Sequence, residues 1–218
     1  MNYDWEQRLA RKTYDSYEYV DPDSKYTFPD SGVLRNKLGL TDAADLSEKE
    51  HELVNLRLLE LVIAPILVES MADVRKIHKH LFQDVYEWAG KFREVNISKS
   101  GKPFMAMQAF DTGQKYMNSL IADFHQNANT KAEMTKSLAE ILDNQNYFHP
   151  FREGNGRTQR EVIRTLALSK GYEAQVRIDD DAMYHLYMDG TVEGDVKKLE
   201  TLFSNILTPK SKNIQLRK

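Results

Sequence analysis

Twelve consecutive residues, His149-Pro150-Phe151-Arg152-Glu153-Gly154-Asn155-Gly156-Arg157-Thr158-Gln159-Arg160, gather the groups needed to bind a phosphate chain and to move a proton. Pro150 ends any helix running into the segment, because the residue before a proline is pushed out of the helical region. Gly154 and Gly156 permit backbone conformations closed to other residues and a close approach to a ligand. A helix beginning at Gly156 to Thr158 then presents unpaired N–H groups and the positive end of its dipole, which makes an anion site suited to phosphate. Arg157 and Arg160 lie three apart on one face and can fork onto phosphate oxygens, and Arg164 extends the row. Glu153 is the one carboxylate in the loop, a hard oxygen donor of the kind Mg2+ takes beside bound phosphates. His149 is the only group of the twelve that exchanges a proton near neutral pH, which makes it the natural general base. Phe151 has no such task and is expected to anchor the loop in the core.

Each part is commonplace alone. A histidine at a helix end, a Gly-Asn-Gly turn or two arginines on a helix all occur without function. Together they are complementary to a single Mg2+–nucleotide.

The elements that must position this loop are mostly helical. Capping-box patterns at Ser47–Glu50, Ser70–Asp73 and Thr130–Glu133 mark three helix starts, the second with Asp in place of the usual Glu or Gln. Behind the first, Leu53, Leu56, Leu59, Leu61 and Ile63 form an apolar face; behind the third, Met134, Leu138, Ile141 and Leu142 run into the motif. Further helices are expected over Thr112–Gln126, from the motif to Gly171, over Asp181–Met188 and over Val196–Ile206. Phe92–Ser98 and Phe104–Met107 alternate around Lys99–Pro103, which reads as a β-hairpin. The fold class is therefore all-α with one small hairpin. Residues 1–30, rich in tyrosine and proline, read as an extended arm packed on the body; 31–208 read as the main domain and 209–218 as a basic frayed tail.

Bulk properties exclude several classes. The 218 residues carry a net charge of −3 and 41% hydrophobic side chains, so the chain can bury a core but offers no basic surplus for direct nucleic-acid binding. The absence of cysteine removes disulfides, thiol nucleophiles and cysteine-ligated zinc, and suits a reducing cytoplasm, although a secreted effector would look the same. Met1–Lys12 is too charged for a secretory signal, and the apolar run Leu58–Val68, broken by Glu60 and Pro65, is too short for a membrane span. Other candidates for chemistry are weak. His78 and His80 are two apart and face different directions on a helix. Asp179–Asp181 reads as a helix cap, and Tyr184 and Tyr187 are at a core spacing although either can reach a base.

His149, Phe151, Glu153, Gly154, Asn155, Gly156, Arg157 and Arg160 match the signature HxFx(D/E)GNGRxxR of Fic-domain proteins. The chain also resembles that family in Leu34–Gly39, in Tyr86-Glu87-Trp88-Ala89-Gly90 and in the hairpin. The resemblance implies a Fic-type helical bundle whose members transfer AMP from ATP to Tyr, Thr or Ser hydroxyls of target proteins. It implies that His149 deprotonates the hydroxyl for in-line attack on the α-phosphorus, and that Glu153 holds Mg2+ bridging the α- and β-phosphates. Gly154 to Gly156 and Asn155 then cradle the phosphates, and Arg157 and Arg160 neutralise the departing pyrophosphate. The hairpin becomes a flap that clamps the target by strand addition, with Lys102, Pro103 and Phe104 at or just past its tip. Many such proteins carry an inhibitory (S/T)xxxE(G/N) helix. The one partial match, Ser169 to Glu173, is interrupted by Gly171 and sits at the end of the motif helix, so inhibition is expected in trans from a small antitoxin. Type II topoisomerase ATPase subunits, modified by some small toxins of the family, are the first target to consider. Two other readings are a kinase-like transfer of a different phosphate-linked group, from which the complete Gly-Asn-Gly and both arginines depart, and a nucleotide-dependent binding module, which has no need of His149.

Overall fold

The computed structural model describes residues 18–19, 25–29, 31–99, 101–177 and 179–210. The first helix, α1 (Ala43–Ile63), begins at Asp42, whose carboxylate accepts from the N–H groups of Ala44 (2.8 Å) and Asp45 (3.0 Å). The start expected at Ser47 is thus a turn too late, because Asp42 has already satisfied the orphan donors and Ser47 lies inside the helix. Its apolar face also differs from expectation. Leu56, Leu59 and Ile63 are exposed, whereas Leu46, Glu50, Val54 and Leu61 are buried. One glutamate therefore stands on the packed stripe.

The two other capping boxes form as expected. In α2 (Met71–Phe82) Ser70 Oγ accepts from Ala72 N at 3.3 Å and the Asp73 carboxylate accepts from Ser70 N at 3.2 Å. At the head of α4 (Lys131–Phe148) Thr130 Oγ1 accepts from Glu133 N at 3.2 Å, and the Glu133 carboxylate accepts from Thr130 N at 2.8 Å. Between them lies α3 (Phe110–Asn127), entered through a 3-10 turn at Met107–Ala109. After the motif come α5 (Asn155–Ser169), α6 (Asp181–Glu193) and α7 (Val196–Ile206). Asp180 caps α6 by accepting from Met183 N at 2.9 Å, and α6 continues past Met188 until Gly194, at φ 68°, ends it.

The hub is α4, which packs against α3, α5, α6 and α7, while α2 joins α1, α3 and α5. Leu138 and Leu142 of α4, Ile163 and Leu166 of α5, and Leu199 and Phe203 of α7 are fully buried in this core. The helix that ends at the motif and the helix that leaves it are both held by this packing, so the loop between them sits on rigid supports.

The hairpin is shorter than its alternation indicated. Strand β2 (Ile97–Lys99) pairs antiparallel with β3 (Lys102–Pro103), Ser98 opposite Pro103 and Lys99 opposite Lys102, around Gly101 at φ 71°. Lys102 and Pro103 therefore form the strand just past the tip. Both flanks are drawn away to the helices: Arg93 N donates to Pro150 O (2.8 Å) and Met105 N to Tyr147 O (3.0 Å). A strand β1 (Glu18–Tyr19) lies along the other edge of β2, and β4 (Tyr172–Glu173) pairs with β5 (Thr208–Pro209). Within the N-terminal segment, Tyr26 is buried edge-on to Trp88 and its hydroxyl accepts from Glu94 N at 3.1 Å. Residues 211–218 of the expected basic tail lie outside the described residues.

Asp42→Ala should lower stability to urea by about 1 kcal/mol, whereas Ser47→Ala should change it by less than about 0.5 kcal/mol. A larger loss at Ser47 would restore the later helix start.

Candidate active site

Helix α4 ends on His149 with φ 42° and ψ 58°, the one non-glycine residue at positive φ among the described residues. Such a conformation persists only where the surroundings impose it. Two side chains from outside the motif do so. Arg93, almost fully buried, donates from Nε to His149 O (2.9 Å), from Nη1 to Val95 O (2.5 Å) and from Nη2 to Met105 O (2.5 Å). His78 accepts from Gly90 N at Nδ1 (2.8 Å), so Nε2 carries the proton that is donated to Glu153 O (3.0 Å). The His78 ring stacks on Phe151 at 3.8 Å and 17°. Burial pushes its pKa down to about 3, so it stays neutral in this role.

The motif completes its own turn. Asn155, buried, accepts from Phe151 N at Oδ1 (3.0 Å) and donates from Nδ2 to Phe151 O (2.8 Å). Thr158 donates to Gly154 O from N (3.1 Å) and Oγ1 (3.0 Å). The carbonyls of His149, Pro150, Phe151, Glu153 and Gly154 are thereby all engaged, and the N–H groups at the head of α5 are the donors left for a ligand. Gly154 is required twice over: its φ is 79°, and a Cβ there would stand 2.2 Å from the Phe82 ring.

These elements enclose a cavity of about 920 Å3. Its walls bring together His149, Glu153, Gly154, Gly156, Arg157 and Arg160 from the motif with Lys102, Pro103 and Phe104 from the hairpin. Asn155 does not line it; its side chain is turned back on the loop. Arg164 is also elsewhere, donating to Glu161 (2.6 Å) and Leu61 O (2.9 Å), so the expected arginine row stops at two. Of the two tyrosines that can reach a base, Tyr187 lines the cavity, 5.8 Å from the Arg160 guanidinium, and Tyr184 does not.

His149 Nδ1 lies 3.0 Å from Asn146 O. A carbonyl only accepts, so the ring proton sits on Nδ1 and the basic lone pair on Nε2. Phe104 stacks on this ring at 3.8 Å and 17°. Burial, aided by the charges of Arg93 and Lys99, pushes the His149 pKa down to about 3.

The two arginines have different surroundings. Arg157 donates from Nη2 to Glu50 Oε1 at 2.5 Å, lies 3.6 Å from Glu153, and covers the Phe82 ring at 4.7 Å. Burial opposes its charge, but Glu50 and Glu153 outweigh it and hold its pKa above the ordinary value. The other oxygen of Glu50 accepts from the Tyr86 hydroxyl. Among the described residues no carboxylate reaches Arg160. Glu50 was missed because it lies on the stripe of Leu46 and Val54 and not on the face that the leucine spacing suggests. His78 and Arg93 carry no local mark.

Glu153 Oε1 accepts from Gly154 N at 2.9 Å, and no donor among the described residues reaches Oε2. Those residues contain no cluster of three His, Asp or Glu side chains able to hold a metal. A metal here must therefore take most of its ligands from phosphate oxygens and water, which is how Mg2+ is usually held. One carboxylate beside the anion loop fits that requirement.

The Fic/DOC family model matches residues 69–167. "Probable protein adenylyltransferase Fic" of Escherichia coli (strain K12) is 30% identical over 188 residues, covering 84% of this chain and 92% of that protein. "Protein adenylyltransferase VbhT" of Bartonella schoenbuchensis is 37% identical over 157 residues, covering 71% of this chain but 33% of its own length. Among solved structures, the N-terminal Fic domain of a VirB-translocated Bep effector from Bartonella quintana with bound ADP superposes with a TM-score of 0.75 at 24% identity, over 85% of this chain and 95% of that one. BepC from Bartonella tribocorum with bound AMPPNP gives 0.75 at 21% identity, over 86% and 98%.

Replacing Glu50 with Leu should leave Arg157 without its main counter-charge and cost about 3 kcal/mol of stability. Glu50→Leu combined with Arg157→Leu should be more stable than Glu50→Leu alone. Additive losses in a double-mutant cycle by urea unfolding would show that the pair is not coupled.

Proposed function

The chain belongs to the Fic/DOC family, and from that premise we infer that it is a protein adenylyltransferase, moving AMP from ATP to a Tyr, Thr or Ser hydroxyl of a target protein. The observation that carries this reading is the His149 ring. Its proton is committed to Asn146 O, which assigns the lone pair to Nε2, in the same cavity as the phosphate-binding end of α5. In the reaction the target hydroxyl oxygen forms a bond to the α-phosphorus of ATP and its proton passes to His149 Nε2. The bond between the α-phosphorus and the β-bridging oxygen breaks, and pyrophosphate leaves with that electron pair. The N–H groups at the head of α5, with Gly154, Asn155 and Gly156, orient the phosphates. Arg157 and Arg160 offset the charge of the leaving group. Glu153 is the residue that would hold Mg2+, which when bound supplies further charge neutralisation to the phosphates.

We propose that residues 31–208 form the transferring domain and that the hairpin with Lys102, Pro103 and Phe104 receives the target; of the expected arm over 1–30, residues 1–17, 20–24 and 30 lie outside the described residues. No described helix is long and apolar enough to cross a membrane; action on targets in the cytoplasm is part of the proposal. ATPase subunits of type II topoisomerases are the targets to test first. Control is proposed to come from a separate small protein. In support, Glu173 of the partial inhibitory motif lies in β4, away from the cavity, and Arg160 meets no carboxylate among the described residues. Co-purification with the products of neighbouring genes should yield a complex in which transfer is suppressed; a pure chain that remains inactive and unaffected by them would argue for a brake within the chain.

ATP labelled at either the α- or the γ-phosphate, incubated with the protein, Mg2+ and lysate, should label protein from the α position only. Label from γ alone would make the enzyme a kinase, and from neither a binding module. His149→Ala should abolish the signal and Glu153→Ala should weaken it. Because His149 must be neutral to accept a proton and its folded pKa is near 3, activity should persist as pH falls through 6.5. An acid limb of kcat/KM at the ordinary imidazole value would contradict that burial.

A further inference from the structure

The phosphate end of the cavity is accounted for, but of the three carboxylates on its wall Asp143 has neither a task nor the cation that Glu193 has in Lys198. Asp143 lies on α4 six residues before His149, about 9 Å further along the helix axis. It faces Gly194, the left-handed residue that ends α6: a methyl group there would lie 3.8 Å from Asp143 Oδ1. No donor among the described residues reaches this half-buried carboxylate, and burial holds its pKa above the usual range. An acceptor left in such a position is costly unless a ligand supplies the donor.

The ligand rather than its phosphates must be that donor's source. Phosphate oxygens are acceptors and carry charge of the same sign, and they belong with Arg157 and Arg160. Met188 and Val192 line the cavity from the stretch of α6 that runs to Gly194, beside Asp143, and offer the apolar surface that the flat face of a purine needs, while Tyr187 stands nearer Arg160. A ribose, with its hydroxyls, matches that surface less well.

We propose that Asp143 is the base-reading residue of the nucleotide site, accepting a hydrogen bond from the 6-amino group of adenine. An ionised carboxylate accepts only, so it pairs with an amino group at that position and repels the oxygen of a 6-oxo purine. The proposal rests on the adenylyltransferase reading in supposing that the occupant is ATP, and it adds why ATP is chosen.

The test is calorimetric binding of ATP, purine riboside triphosphate, ITP, 2′-deoxy-ATP, 3′-deoxy-ATP and inorganic tripolyphosphate to the full chain. The wild-type protein should prefer ATP over both ITP and the unsubstituted purine by at least about tenfold, the scale of one hydrogen bond to a charged group. Asp143→Leu should bring ATP and ITP to within about twofold while tripolyphosphate binding, which reports an intact loop, is unchanged. Asp143→Asn keeps the shape and guards against misfolding; an amide can present either an acceptor or a donor, so it should also accept ITP. Retention of the ATP preference in both variants would overturn the proposal. So would a change confined to the deoxynucleotides, which would move Asp143 to the ribose. The two readings fail separately: loss of α-label transfer with the ATP preference intact would remove the adenylyltransferase reading alone.

Discussion

The site depends on one constraint: the carbonyl oxygens of the turn from His149 to Gly154 must be engaged by protein groups if backbone N–H groups are to meet a phosphate chain. A carbonyl pointed at phosphate would set two negative ends against each other. Five of these oxygens are engaged, two by the motif's own Asn155 and Thr158 and three by Arg93 and His78. Arg93 arrives from the base of the hairpin and His78 from α2, both distant in sequence. The left-handed His149 is stable because its oxygen and that of Pro150 are both taken by one buried arginine.

The same buried arginine also gives the hairpin its place. By donating to Val95 O and Met105 O as well as His149 O, Arg93 makes the flanks of the hairpin and the end of α4 share one rigid centre. His78 does the corresponding work on the other side, joining the Gly90 turn to Glu153 through a ring that burial keeps uncharged. A protonated imidazole could no longer accept from Gly90. The pKa depression is thus a condition of the architecture and not a sign of catalysis.

Much of this was legible in the sequence, and the boundary is physical. Signals that act within a few residues read correctly: the boxes at Ser70 and Thr130, the glycines of the motif, the final helix over Val196–Ile206, the burial of Phe151. One local signal failed, the box at Ser47, which Asp42 pre-empts as the cap; the other failures were inferences needing contacts across the fold. On α1 the periodic leucines suggested the buried face, but α2 packs against the stripe that holds Glu50, because Glu50 satisfies Arg157 and Tyr86 there. The motif arginines looked equivalent by spacing, yet Arg157 already carries an internal counter-charge and Arg160 does not. His78 looked idle beside His80 because its partners are a turn at Gly90 and a carbonyl 75 residues away.

The stack of Phe104 on His149 ties the hairpin to the imidazole at one fixed residue. Strand pairing advances in whole residues of about 3.3 Å, and a slip of one turns every side chain to the opposite face. An extended segment laid along such a hairpin is therefore measured against His149 as against a ruler with discrete marks. If a target segment pairs with the hairpin as proposed, its choice of acceptor is a matter of counting along the backbone, so that a neighbouring hydroxyl one residue away is not slightly misplaced but on the wrong side of the chain.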